Sequence, residues 1–383
     1  MLCRVCRTES GASLYSSGAP AITSLATVVE APTNIYVCSA CGHCQSDDLP
    51  NLDAFYDTDY KISLASDDHD QVYEVRDGKP VFRTDRQAEV VIGLVEMKPA
   101  AKILDYGAAK ATTLRKIVAR TPSVSPHVFD VSEDYRRYWA SWLPSDACAT
   151  YKVPSSWRGL FDVVTAHYVI EHVSNPVAVL ADLRGLLAPD GKLFFSVPDW
   201  RQNTGDLLVV DHSNHFSETS IRTAAWRAGL RVDALASNQL PGAFVVVCSP
   251  SESEAAPRKD KVKSEVDHAR ATCSFWANAV TTLDRSAAMH GDRSSAIFGA
   301  GFYGTFVHSR VGKQVPVTCF LDNNPHSWSL RHFGLPVRPP AEMPDDVRTV
   351  YVGLNPSKAR AIVAQTPALN RGNIDLIFLG DAG

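Results

Sequence analysis

Ile103-Leu104-Asp105-Tyr106-Gly107-Ala108-Ala109-Lys110-Ala111 reads as a short buried strand that runs into a glycine turn, with a helix expected over Thr112 to Arg120. A glycine at the carboxyl end of a first strand lets the backbone turn sharply and come close to a ligand. Asp105, just before it, is unhelpful for the pyrophosphate of a dinucleotide. It suits a ligand that carries an amino group and a positive sulfur. About 23 residues on, Asp130 ends a second expected strand, His127-Val128-Phe129-Asp130. A carboxylate there can accept hydrogen bonds from both hydroxyls of a ribose.

Outward from this turn the pattern alternates. A helix runs through Tyr138, a third strand covers Phe161 to Ala166, and Pro176 to Leu187 reads as a helix. The turn Ala188-Pro189-Asp190-Gly191 leads to a strand over Lys192 to Val197, and Ser217 opens another helix with Glu218 in its first turn. Strands Arg231 to Ala236 and Ala243 to Cys248 follow, and a helix over Asp85 to Glu96 precedes the set. Strands separated by helices indicate a doubly wound, Rossmann-like α/β sheet, with the final strand pair at its edge.

With 383 residues the chain has room for two or three domains. The expected divisions are a small module over 1–60, an α/β domain over 61–250, a linker and helix over 251–285 and a second Rossmann-like domain over 286–383. Ser251 to Lys263 is charged and lacks apolar periodicity, and a long helix is expected over Val266 to Asp284. A net charge of -4 offers no electrostatic reason for nucleic acid or an anionic membrane as partner. No apolar run approaches a membrane span, and Met1-Leu2-Cys3-Arg4 lacks the apolar core of a signal peptide. A cytoplasmic location is the expectation.

Five of nine cysteines fall within the first 44 residues. Cys3-x2-Cys6 and Cys38-x2-Cys41 form two knuckles, and four thiolates of this kind suit one tetrahedral Zn²⁺ in a structural role. The gap between them exceeds the usual zinc-ribbon spacing, but strand-like runs such as Thr33 to Val37 allow a hairpin within it. Gly42 supplies permissive backbone after Cys41. Cys44 offers a second legal knuckle with Cys41.

The layout of strand, acidic residue, glycine turn and a second acidic residue after strand two resembles the class I S-adenosylmethionine methyltransferases. Phe161-Asp162-Val163-Val164-Thr165-Ala166-His167-Tyr168-Val169-Ile170-Glu171-His172-Val173 is similar to that family's fourth strand and the Glu-His-Val after it. The resemblance covers roughly residues 100 to 250. It implies S-adenosylmethionine as cofactor, held by Asp105, Gly107, Ala109, Asp130 and His167. Ala109 and Ala111 stand at the family's second and third glycines, a change tolerated where the backbone keeps a negative φ. Glu171 and His172 are expected to face the core.

Asp211-His212-Ser213-Asn214-His215-Phe216-Ser217 lies between the strand ending near Val197 and the next helix, a loop that sits over the carboxyl ends of the strands. Two histidines and an amide in four residues are costly to bury without partners, and histidine can take and return a proton near neutral pH. A helix cap at Ser217 with a surface histidine pair is the alternative. A four-Cys module, a class I core and a C-terminal Rossmann-like domain together resemble the sugar-nucleotide C-methyltransferases of deoxysugar biosynthesis. That family's loop reads Tyr-His-Glu-His. Its final histidine, the proposed base, falls on His215, its tyrosine on His212 and its glutamate on Asn214. Phe55-Tyr56-Asp57-Thr58-Asp59-Tyr60 resembles, more loosely, that family's aromatic segment near the active site.

Phe298-Gly299-Ala300-Gly301-Phe302-Tyr303-Gly304, with Asp322 about 20 residues later, is a literal dinucleotide fingerprint. It binds NAD in a fused oxidoreductase, or it offers a helix N-terminus to the diphosphate of a nucleotide-linked acceptor. Leu321-Asp322-Asn323-Asn324-Pro325 and Gly334-Leu335-Pro336-Val337 resemble the C-terminal domain of the C-methyltransferases and favour the second. The expected acceptor is a small molecule, a nucleotide-activated keto-sugar methylated at carbon. O- or N-methylation of another small molecule is the alternative, and a non-catalytic scaffold a third.

Overall fold

The structure, a computed structural model, describes residues 1–50, 70, 72–76, 79–252 and 255–380. The aromatic segment Phe55 to Tyr60 lies outside the described residues. The chain divides into two compact units. One comprises Met1–Gly11, Val37–Gln202 and His212–Val266; the other comprises Ala12–Tyr36, Asn203–Asp211 and Asp267–Gly383.

The first unit is built on seven strands: β1 (Lys102–Tyr106), β2 (Ser125–Asp130), β3 (Cys148–Thr150), β4 (Phe161–His167), β5 (Leu187–Pro198), β6 (Leu230–Leu240) and β7 (Ala243–Pro250). Their order is β3-β2-β1-β4-β5-β7-β6. β1 to β5 are parallel, and β7 enters antiparallel to both β5 and β6. The expected edge pair is therefore present, with its later strand on the inside. Helix α1 (Arg83–Leu94) precedes the sheet; α2 (Thr112–Arg120), α3 (Pro176–Leu186) and α4 (Glu218–Arg227) connect its strands. Both faces are covered, as the near-continuous apolar strands require. Along β7, Phe244, Val246 and Cys248 enter one core cluster while Ala243, Val245 and Val247 enter another. Leu193, Phe195 and Val197 of β5 join the first, and Phe194 the second. This is the period-2 alternation of strands packed on both sides.

The helix starts expected at Pro176 and Ser217 hold. Asn175 accepts from Ala178 N at 3.2 Å with Pro176 in the first turn, and Ser217 accepts from Ser220 N at 3.2 Å ahead of α4. Two expectations shift. The turn Ala188 to Gly191 becomes an irregularity within β5, between the pairs Phe161–Leu187 and Val163–Lys192. A Cβ on Gly191 would stand 2.7 Å from Phe161 O, so the excursion needs glycine. The long helix α5 (Val262–His290) begins earlier and ends later than expected, taking in the last residues of the charged stretch.

The second unit carries a smaller sheet: β8 (Ser295–Phe298), β9 (Val317–Leu321), β10 (Arg331–His332), β11 (Leu335–Arg338), β12 (Thr349–Val352) and β13 (Asp375–Phe378). Its order is β10-β11-β9-β8-β12-β13, parallel except for β10. Tyr15–Ser17 pairs antiparallel with Thr33, Asn34 and Ile35, so the segment between the two cysteine knuckles does form a hairpin. Among the described residues no helix is long and apolar enough to cross a membrane.

Candidate functional site

The carboxyl ends of β1, β2 and β4 carry the residues expected to hold a cofactor. Gly107 turns at φ +73, and a Cβ there would lie 2.5 Å from Val169 Cγ2, so both conformation and space demand glycine. Ala109 and Ala111 also turn left-handed, at φ 47 and 56. The expected negative φ is thus corrected: both alanines take the left-handed backbone that favours glycine, with Cβ strain of roughly 1–2 kcal/mol each. The turn is held by its neighbours. Ala109 N donates to Asp130 Oδ2 at 2.8 Å, and Ala109 O accepts from Trp139 Nε1 at 2.8 Å.

Asp130 is fixed at both oxygens, since Ser132 N donates to Oδ1 at 3.1 Å. Each oxygen keeps a lone pair for a hydroxyl, and burial raises the carboxyl's pKa. Asp105 is 4% exposed. Burial, with the neighbouring Asp130 charge adding to it against the Thr165 hydroxyl, pushes its pKa up to about 7. Thr165 Oγ1 donates to Asp105 Oδ1 at 2.8 Å. His167 ends β4 half-buried; desolvation, with Arg83 adding to it, lowers its pKa to about 3 and keeps it neutral. Its Nδ1 meets Ser196 Oγ at 3.4 Å, while Nε2 is buried without a hydrogen-bond partner. Two buried carboxylates, a glycine cradle and an orphaned imidazole nitrogen together fit a ligand with a ribose, a cationic centre and further polar groups.

The loop His212–Ser217 is buried throughout. Asn214–His215 forms a two-residue strand antiparallel to Cys44–Ser46, with His215 opposite Cys44 and Asn214 opposite Gln45. His215 Nε2 meets Ser46 Oγ at 3.1 Å. Asn214 Nδ2 donates to Val173 O at 2.7 Å and reaches Ile170 O and Glu171 O at 3.3 and 3.4 Å. Its Oδ1 meets His43 Nε2 at 3.2 Å. Asn214 thereby ties the loop to the turn after β4. Of the two readings left open, the surface histidine pair is excluded, because His212 and His215 are 8% and 1% exposed.

The N-terminal knuckles stand directly behind this loop. Sγ atoms of Cys3, Cys6, Cys38 and Cys41 lie within 4.8 Å of one another. Cys3–Cys41 and Cys6–Cys38 are 3.6 and 3.4 Å apart. With Zn–S near 2.3 Å a tetrahedron has edges of about 3.8 Å, so the set can hold such an ion with small adjustments. The sulfurs crowd one another: hydrogen bonds from Cys3 and Cys41 hold the Cys38 thiol far below its ordinary value, while Cys3 and Cys41 are driven up. Four thiolates together need a cation. Cys44 lies outside the group and is spent on the strand facing His215. Gly42 turns at φ +69, and a Cβ there would lie 2.5 Å from Glu265 Oε2.

Residues 82–235 match the model of a family described as a methyltransferase domain. The chain carries an S-adenosylmethionine-dependent methyltransferase domain. Solved structures similar to it include the complex between the Haloferax volcanii Trm112 methyltransferase activator and a putative methyltransferase, at 14% identity, TM-score 0.38 and 45% of this chain against 92% of that one. The mitomycin 7-O-methyltransferase aligns at 16% identity and TM-score 0.37, over 44% of this chain and 54% of that enzyme. A putative S-adenosylmethionine-dependent methyltransferase from Listeria monocytogenes aligns at 12% identity and TM-score 0.37, over 44% of this chain and all of that one. A search among curated proteins gave no match.

In the first unit sequence reasoning missed His43, Gln45 and Ser46, whose partners lie some 170 residues away. His43 stands between two cysteines in Cys41-Gly42-His43-Cys44, and nothing local marks it as a brace. Sequence also left Glu171 and His172 as core residues. They are buried, yet their ligand atoms gather with that of His212.

Proposed function

We propose that this chain methylates a carbon next to a ketone in a nucleotide-activated keto-sugar, with His215 as general base. The observation that carries the reading is the placement of two buried histidines on a braced loop at the carboxyl end of the sheet, beside the turn that follows β4. S-adenosylmethionine supplies an electrophilic methyl group when bound. Asp130 accepts from its ribose hydroxyls, Asp105 and His167 take its methionine end, and the strained turn Gly107 to Ala111 shapes the cradle. A neutral imidazole at His215 removes the acidic C–H proton, Ser46 orients that ring, and His212 holds the acceptor oxygen as charge develops. Asn214 positions the loop rather than replacing the carboxylate that the resembling family has there. Cys3, Cys6, Cys38 and Cys41 hold a structural Zn²⁺ that keeps Cys44–Ser46 in register with the loop.

In the second unit, Gly299 and Gly304 serve packing: a Cβ on either would strike Gly353 O at 2.2 Å or Gly299 O at 1.9 Å. Gly301, the N-cap of helix α6 (Phe302–Val311), has open space around it. Asp322 accepts from Ala300 N and Asn324 N, both at 2.8 Å, the same double anchor that fixes Asp130. We assign this turn to the acceptor's nucleoside diphosphate. The test is mass spectrometry of products from isotopically labelled S-adenosylmethionine and nucleotide keto-sugars. A labelled methyl on carbon is the expected result; label on oxygen or nitrogen overturns the reading.

A further inference from the structure

We propose that the methyltransferase domain has a second metal site, in which Glu171, His172 and His212 bind a divalent first-row transition-metal ion. The three side chains come from two elements distant in sequence. Glu171 and His172 lie on the 3₁₀ turn Ile170–His172 just after β4, and His212 opens the braced loop. One ligand atom from each lies within 4.8 Å of the other two. All three residues are buried, at 0%, 9% and 8% exposure. The rings of His172 and His212 meet edge to face, with centroids 4.7 Å apart and planes at 79°.

A carboxylate and two imidazoles are a recurring ligand set for such ions: two histidines and a glutamate hold catalytic zinc with a position open, and two histidines with one carboxylate hold iron on one face. Hydrogen bonds from Asn214 to the backbone of Ile170, Glu171 and Val173 hold the two contributing segments together. The turn also adjoins the cofactor cradle through Val169, which packs on Gly107. The remaining coordination positions would take the acceptor oxygen, with His212 acting on it through the ion rather than directly, a role that rests on the proposed function; metal binding itself does not.

The experiment is a Co²⁺ titration of the full-length, zinc-loaded protein without substrate, followed by visible absorption and by metal analysis after desalting. We expect one cobalt per chain beside the retained zinc, with weak ligand-field bands and no thiolate-to-cobalt charge transfer. Glu171→Gln and His212→Ala should each weaken cobalt binding by at least about tenfold, and His215→Ala should leave it unchanged. Failure of the wild-type protein to take up a second ion overturns the proposal whatever the variants do, as does cobalt found only with thiolate charge transfer. Equal binding by wild type and both variants overturns it as well. Cobalt bound as expected, with the labelled methyl on oxygen or nitrogen, retains the metal site and removes only the C-methylation reading.

Discussion

At the scale of single residues, three positions carry distinct expectations. His215→Ala should lower kcat by about 10²–10⁴-fold, the usual contribution of general-base catalysis, while affinity for S-adenosylhomocysteine changes little. Exchange of the acceptor's acidic C–H into D₂O should slow in parallel, and full activity of the variant would remove His215 from the base role. Asp105 sets a pH dependence. Its folded pKa is raised to about 7, so the native state holds a proton that the unfolded chain loses near pH 4. Stability from this group therefore falls as pH rises between those values, and the full cost is present above about pH 7. A cationic ligand favours the ionised form, so cofactor affinity should strengthen as pH rises from 5.5 to 7.5, by calorimetry. Asp105→Asn should flatten that profile. Ala109, partly exposed at φ 47, tests the strained turn. Ala109→Gly removes roughly 1–2 kcal/mol of strain at roughly 0.5–1 kcal/mol of backbone entropy, for a net gain near 0.5–1 kcal/mol. Denaturant unfolding that shows a loss would mean the Cβ packing outweighs the strain.

At the scale of elements, the connection that matters is the antiparallel pairing of Cys44–Ser46 with Asn214–His215. Two residues make no stable strand alone. The pair persists because the knuckles close behind it: Cys38 N donates to His43 O at 2.8 Å, Arg4 pairs with Asp48 at 3.0 Å, and Arg4 Nη1 donates to Ser213 O at 2.8 Å. A metal clip in the knuckles would thus be part of the support of the His212–Ser217 loop. Cys41→Ser should lose zinc by metal analysis and lower kcat by about 10²-fold, the order expected when a reacting group is displaced by about 1 Å. Stoichiometric zinc in that variant would contradict the ligand set; lost zinc with unchanged kcat would detach the knuckles from the loop.

At the scale of the whole molecule, each unit repeats one device: a strand, a glycine turn and an aspartate at the next strand end whose oxygens accept two backbone N–H groups. Their ligands are expected to differ. Calorimetry should show S-adenosylhomocysteine binding and no NADH binding; the reverse would restore an oxidoreductase reading. A nucleoside diphosphate should raise the Tm of the wild-type protein. Gly301→Asp should keep the fold, since the position is open and aspartate is a favoured N-cap, while its charge repels the diphosphate and abolishes the shift. A retained shift would place the nucleotide elsewhere.

Much of this was legible in the sequence for a physical reason: the signals are local. Short apolar runs, Pro176, Ser217 and the glycine at 107 act through the backbone within a few residues, so β1, β2, β4, α2 and α3 could be read to within a residue or two. The paired knuckles belong to the same class, because thiolate spacing restricts which ions can be held. Tertiary structure decided the rest. Only the fold puts Ala109 and Ala111 at positive φ, with Ala109 tied to Asp130 and Trp139. Burial, with the charges of Asp130 and Arg83 brought near, raises Asp105 and leaves His167 neutral with an unpaired nitrogen. The brace from His43 and Ser46 to the loop, and the gathering of Glu171 and His172 with His212, depend on chain segments brought together across some 40 to 170 residues. No local pattern encodes such meetings, because the free energy that selects them is the packing of the whole sheet.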